Sequence, residues 1–164
     1  MARNAGKVFE DDFKASIPEE VYFLRLHDSS IGFDIEHSTQ RFSLKSPFDT
    51  ILCYEGQMYA FELKSHKGKM ISFHGSRAPI KRIQVVRLTE ASAAGAIAGM
   101  ILNFRDYEET YFIQADEFLH FMDTCGKKSV NLSDAREMGI RIPEQKKITH
   151  SSYDIKGILE LKNK

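Results

Sequence analysis

The sequence predicts an α/β fold in which helices flank a mixed central β-sheet. Three observations carry this. Apolar residues recur at helical spacing in some segments and in short unbroken runs in others. Two strand-like runs are separated only by Glu55-Gly56, as in a hairpin. Helical and strand-like segments then alternate toward the C-terminus. The chain has 164 residues, enough for one self-sufficient core, and the expected domain is the whole span 1–164.

Phe9, Phe13 and Ile17 follow Gly6 at helical spacing, which predicts a first helix over Lys7–Ser16, stopped by Pro18. Val21–Leu26 reads as a short strand. His27–Ser46 is polar, rich in Ser, Asp and Thr, and reads as a loop. Phe48–Tyr54 and Met58–Ser65 are the arms of the hairpin. Pro79 suits a first helical turn, so a second helix is expected to run to Ala94. Ala96–Phe104 and Tyr111–Gln114 read as strands, Ala115–Thr124 as a helix, and Asp154–Leu161 as a final helix.

Lys and Arg total 23, as do Asp and Glu, so a uniformly basic nucleic-acid binder is excluded while a local basic face is not. Cys53 and Cys125 have no metal-ligand spacing and form no disulfide framework. Cys53 lies in the apolar run Thr50-Ile-Leu-Cys-Tyr54 and reads as a small buried hydrophobe. Free thiols, no apolar leader behind the N-terminus and no membrane-length segment together predict a reducing cytoplasm and no membrane association.

The hairpin carries the chemistry. A two-residue turn at Glu55-Gly56 pairs Cys53 with Met58, Ile51 with Ala60, and Asp49 with Glu62 on one face. It pairs Leu52 with Tyr59, Thr50 with Phe61, and Phe48 with Leu63 on the other. The second face is almost wholly apolar and belongs on the core. On the first, two carboxylates stand roughly 4.5–5.5 Å apart at Cβ. Lys64 follows Glu62 by two residues and points to the same side. Facing carboxylates repel, and a hard divalent cation between them removes the repulsion. A neighbouring ammonium can stabilise the charge that develops in phosphoryl transfer. An isolated Glu-x-Lys is usually just a solvated strand face; here an acid faces it across the hairpin.

From Leu63 to Thr89 there is no acid. That stretch holds Lys64, Lys67, Lys69, Arg77, Lys81, Arg82 and Arg87, with His66 and His74. A basic run beginning at the paired acids fits a DNA backbone. Lys67, Lys69, Arg77, Lys81 and Arg82 are the candidate phosphate contacts, with Arg3 and Lys7 added from the N-terminal arm. Arg87 reads as a solvated helix residue. His66-Lys-Gly-Lys69 reads as a mobile loop. The six histidines show no i,i+4 pair, and His120 reads as a core-edge residue. Gly95 and Gly99 lack the Lys-Ser/Thr of a phosphate-binding loop.

Pro47-x-Asp49 followed by Glu62-Leu-Lys64 resembles the PD-(D/E)XK nuclease signature. Asn4-Ala-Gly-Lys-Val-Phe-Glu10 resembles the opening of the RecU family of Holliday-junction resolvases. Tyr54-Glu-Gly-Gln-Met-Tyr-Ala-Phe-Glu-Leu-Lys64 resembles that family's hairpin, Gln84 falls at its glutamine, and Tyr111-Phe-Ile-Gln-Ala-Asp116 resembles its second half. The resemblance runs from about Asn4 to Pro143. It implies a restriction-endonuclease-like core and a homodimer that cuts four-way DNA junctions with Mg²⁺ or Mn²⁺. It implies Asp49, Glu62 and the Leu63 carbonyl as metal ligands, Lys64 as the water-orienting or charge-neutralising group, and Gln84 and Glu10 as further members of the site. Ala96–Phe104 and the aromatic residues near Phe121 are the candidate dimer surface. Two departures bear on substrate choice: the interval before Asp49 is short, and Pro-Phe-Asp stands where the family has Thr-Thr-Asp. The alternatives are a restriction-like or repair nuclease on duplex or flap DNA, and a DNA-binding protein with a relict site.

Overall fold

The computed structural model describes residues 4–26, 29–31 and 42–161, with strand pairing alone for 29–31 and 42–44. Asn4 opens α1 (Ala5–Ala15) by accepting the Gly6 N–H at 3.1 Å, and Phe9 and Phe13 form the helix's buried stripe. β1 (Tyr22–Arg25) follows. β2 (Ser29–Ile31) and β3 (Phe42–Leu44) pair antiparallel, so the expected loop from His27 to Ser46 contains a short two-stranded ribbon. Runs of three residues are too short to show a period. His27 and His37 lie outside the described residues.

The hairpin forms as the sequence predicts from its turn as far as Thr50, but the expected Asp49–Glu62 pair is not part of the ladder. β4 (Thr50–Tyr54) and β5 (Gln57–His66) pair Tyr54 with Gln57, Cys53 with Met58, Ile51 with Ala60 and Thr50 with Phe61. Glu55 at φ 48° and Gly56 at φ 80° both take the left-handed conformation that a two-residue primed turn requires. The ladder ends at Thr50. Phe48 therefore does not face Leu63. Its chain bends away before the strand begins, and Phe48 joins Ala60, Ile80 and Met100 on the opposite layer.

β6 (Met70–Ser72) leads to α2 (Arg82–Ala93). The helix starts three residues later than Pro79, because Ile80 is drawn into the core and donates its N–H to the Ser72 carbonyl at 3.3 Å. β7 (Ile97–Phe104), β8 (Glu109–Gln114) and α3 (Ala115–Thr124) follow. The C-terminal third holds β9 (Ser129–Asn131), α4 (Leu132–Met138), β10 (Ile140–Ile142), β11 (Glu144–Lys146), β12 (Ser151–Tyr153) and α5 (Lys156–Leu159). Of these only the last helix was predicted, and it is shorter than expected. β6 pairs with β9 and β11 with β12 as separate ribbons.

The main sheet runs β1-β4-β5-β7-β8-β10. β5 and β7 are parallel and the other pairs antiparallel, so the sheet is mixed as expected. Alternate residues of β5 and β7 feed two layers. Ala60, Met100 and Leu102 pack under α2 and α3, whereas Phe61, Leu63 and Ile101 pack with Phe9 and Phe13 of α1 and Tyr153 of β12. Every residue of β7 is buried between its neighbours, so this strand is core and not dimer surface. Phe121 is partly buried against Phe73 and Phe118. Cys53 is exposed: it sits next to the hairpin tip beside the exposed Tyr22 of β1. His120 is exposed on α3. Among the described residues no helix is long and apolar enough to cross a membrane.

Gly99 of β7 allows β8 to approach closely. A Cβ there would stand 2.2 Å from the Ile113 carbonyl oxygen and 2.6 Å from the Phe112 ring. Because the first obstacle is backbone, Gly99→Ala should destabilise the fold by about 2 kcal/mol or more. Urea denaturation reads this, and a loss under about 0.5 kcal/mol would mean the β7–β8 approach is looser than described.

Candidate active site

Asp49 sits one residue before β4. Its N–H donates to the Phe61 carbonyl at 3.1 Å, and its carbonyl accepts the Leu26 N–H at 2.8 Å. Its carboxylate Oδ2 accepts the Leu63 N–H at 2.8 Å. The side chain thus occupies the place where the next rung of the β4–β5 ladder would be. Residues of a strand send N–H and C=O to the same edge. The Leu63 carbonyl accordingly leaves β5 on the Asp49 side.

Glu62 and Lys64 lie on the face of β5 covered by the start of α2. The Glu62 carboxylate is almost wholly buried, at 1% side-chain exposure, and Lys64 Nζ stands 2.6 Å from its Oε1. Gln84, on the first turn of α2, donates from Nε2 to the same Oε1, and its own Oε1 accepts the Lys81 N–H at 3.1 Å. Gln84 therefore ties the helix start to the acid. Glu62 Oε2 is buried with no hydrogen-bond partner among the described residues. Burial pushes the Glu62 carboxyl up to about 7, the charge of Asp49 adds to the rise, and Lys64 opposes it.

These groups line an open cleft of about 590 Å³, together with Arg25, Lys45, Pro79 and Lys81. Glu10 reaches toward the cleft from α1 but bonds to Arg25. Burial raises its carboxyl, Arg25 lowers it, and Asp49 and Lys64 are near enough to be felt. Among the described residues no three His, Cys, Asp or Glu side chains converge to hold an ion by themselves. Magnesium needs no such cage, since it is commonly held by one or two carboxylates and keeps waters or phosphate oxygens. A buried carboxylate oxygen with no partner among the described residues, beside a second acid and the Leu63 carbonyl edge, fits that donor set.

The fold thus brings Asp49, Glu62, Leu63, Lys64 and Gln84 together, whereas Glu10 does not line the cleft and is joined to it through Arg25. Lys81 reaches the cleft, although its ammonium donates to the Ser76 carbonyl. Lys67, Lys69 and Arg77 are exposed, and β5 continues through His66, so of the expected loop from His66 to Lys69 only Lys67–Lys69 lie between strands. Arg82 points elsewhere, gripping Asp123 with bonds of 2.6 and 3.2 Å. Arg87 pairs with Glu90 at 2.7 Å. Lys7 is exposed on α1, and Arg3 lies outside the described residues. Arg25 was not singled out in the sequence. It lies opposite Thr50 in the β1–β4 register, hence beside Asp49, but nothing in its spacing announces that β1 pairs with β4.

The raised Glu62 has a consequence for stability. Folded Glu62 keeps its proton up to about 7, whereas an unfolded glutamate releases it near 4.5. Between those values the folded state holds the extra proton, so stability falls as pH rises through the window. Denaturation of chelator-treated wild type and Glu62→Gln across it should show the wild type losing stability relative to the variant. Parallel curves would mean that Glu62 titrates as an ordinary exposed acid.

Comparisons with known proteins place this geometry in a family. The SPbeta prophage-derived protein YotM of Bacillus subtilis (strain 168) is 29% identical over 167 residues, covering 93% of this chain and 83% of the relative. The Holliday junction resolvase Hjc of Archaeoglobus fulgidus aligns structurally with a TM-score of 0.47 at 16% identity, over 74% of this chain and 83% of Hjc. The family model for recombination protein U covers residues 16–154, from the end of α1 to just past β12, and the chain belongs to the RecU family.

Proposed function

We propose that this protein is a metal-dependent endonuclease that resolves four-way DNA junctions in recombination or repair, with the whole chain acting as one nuclease unit. The observation that carries the reading is the buried, unpartnered Glu62 oxygen beside Asp49 and Lys64 in an open cleft. Membership of the RecU family supplies the junction as substrate. Asp49, Glu62 and the Leu63 carbonyl are the ligands for Mg²⁺ or Mn²⁺. Bound there, the metal supplies Lewis-acid stabilisation of phosphate charge and activation of water.

Hydrolysis adds a water oxygen to phosphorus, breaks one P–O ester bond and leaves a proton on the departing oxygen. The chain's own groups divide this work. Lys64 holds a positive charge at the site where negative charge develops on the phosphoryl oxygens. Gln84 fixes Glu62 by occupying Oε1 and leaves Oε2 for the ion. Glu10 is an outer acid that acts on the site through Arg25. Lys67, Lys69, Arg77 and Lys81 hold the DNA backbone around the cleft. A two-fold junction cut symmetrically needs two such sites, which a homodimer provides. Sedimentation on junction DNA reads this directly, and a single protomer per cut junction would exclude it.

The primary experiment incubates the protein and Mg²⁺ with a mobile four-way junction, a linear duplex and a flap. Paired cuts in the junction alone are expected. Preferential cutting of duplex or flap would favour a restriction-like or repair nuclease, and absence of cutting with any substrate would leave a relict site. Asp49→Asn and Glu62→Gln should each abolish cleavage while leaving most junction affinity, since that affinity comes mainly from the basic residues. Lys64→Ala should slow single-turnover cleavage by roughly a hundredfold, the scale of losing one electrostatic stabiliser. If Lys64→Ala instead weakens binding and leaves cleavage of bound DNA fast, Lys64 is only a phosphate contact.

A further inference from the structure

The ribbon formed by β6 and β9 joins two basic segments that are remote in sequence. β6 continues from the hairpin arm that carries Glu62 and Lys64. β9 follows Lys127-Lys128, more than fifty residues away. The pairing sets Met70 opposite Asn131 and Ser72 opposite Ser129. Just beyond its ends, the Lys69 carbonyl accepts the Leu132 N–H at 2.9 Å, and the Phe73 N–H donates to the Lys128 carbonyl at 3.1 Å. Lys128 is thereby brought beside Ser72 and His74.

Charge is distributed unevenly here. Residues 63–89 and 124–133 contain no acid. Of the nearby acids, Asp123 on α3 is matched by Arg82 at 2.6 Å and Asp134 on α4 by Lys127 at 2.6 Å, while the exposed Glu137 of α4 lies near Lys127. Lys69, Arg77 and Lys128 are exposed, and their side chains make no ion pair to a described residue. Between them the ribbon shows solvent only Met70 and small polar residues. Its surface is also continuous with the cleft. Ser72, His74, Arg77 and Pro79 line a shallow depression, and Pro79 also lines the cleft that holds Asp49 and Glu62.

We propose that this ribbon is a docking surface for a duplex DNA arm, running from the cleft over Pro79 to Arg77 and Lys128, with Lys128 as a phosphate contact contributed from outside the basic run around the hairpin. The proposal rests on the nuclease reading and adds the direction in which the bound arm leaves the site. Exposed cations on two segments that themselves contain no acid match a phosphate backbone in charge. From Lys69 to Phe73 the strand rises roughly 13 Å, about four base-pair steps of duplex. The surface therefore spans several phosphates of one arm. Arg82 and Lys127, although basic and adjacent, have their charges engaged by acids and serve to remove those acids from the track.

The test measures affinity for an immobile four-way DNA junction in EDTA by fluorescence anisotropy, over a series of salt concentrations. Lys128→Ala should weaken binding several-fold and reduce the slope of log affinity against log salt by about one. Lys128→Glu should weaken it by roughly tenfold or more, since it puts a repelling charge on the track. Lys156→Glu, the same charge change on α5, should bind like the wild type. Hydroxyl-radical footprints of the Lys128 variants should lose protection on one arm beside the cut site. If the wild type cuts junctions and both Lys128 variants keep its affinity, salt slope and footprint, the docking surface is overturned and the nuclease reading stands. If the wild type neither binds nor cuts any branched DNA, the nuclease reading fails, and the surface fails with it.

Discussion

The active-site geometry depends on where β4 stops pairing with β5. Had the ladder run one rung further, a backbone carbonyl would take the Leu63 N–H, and the Leu63 carbonyl would be consumed in return. Instead the chain bends through Pro47 and Phe48, and the Asp49 carboxylate accepts that N–H at 2.8 Å. One interaction thereby satisfies a strand donor, fixes an acid beside Glu62 and keeps a carbonyl edge open. The bend also sends Phe48 into the layer under α2, where it packs with Ile80. Phe48 helps place the segment that leads into the helix, and through it Gln84.

Glu62 shows what that construction costs. A buried carboxylate with an unpartnered oxygen is unfavourable by a few kcal/mol, and the protein meets part of this by letting the acid keep its proton toward neutral pH. Lys64 and Gln84 both serve Oε1 and leave Oε2 alone. A side chain selected for stability alone would be apolar here, because its strand neighbours Ala60 and Met100 are core residues. The strain is concentrated where a ligand of opposite charge would relieve it.

Much of this was legible in the sequence, and for identifiable reasons. The turn at Glu55-Gly56 fixes the pairing of β4 and β5, and a period-two pattern then puts Glu62 and Lys64 on one face without any tertiary information. α3 was predicted with both its ends, because an apolar stripe at helical spacing starts directly after a strand. The misses share a cause. Alternation places Phe48 opposite Leu63 although the ladder has ended by then, and the apolar run around Cys53 suggests burial although the cover runs out near the hairpin tip. β6, β9, β10, β11 and β12 have three residues each, too few for a period to show. Arg25 and Lys128 gain their positions from pairings between remote strands, which local spacing does not encode.

The charge balance follows the same division between local and long-range order. The chain is neutral overall, with 23 residues of each sign, yet its charges are sorted in space. Several acids are met by a cation: Glu108 by Lys146, Glu109 by Arg136, Asp123 by Arg82. Such exposed pairs add little stability. Their larger effect is on the field. A paired acid no longer cancels the unpaired lysines and arginines near the cleft, so a neutral protein still presents a positive face to a phosphate backbone. Arg82 belongs to that sorting: its guanidinium lies in the basic run, and it holds Asp123, while Arg77 and Lys128 have no ion pair with a described residue.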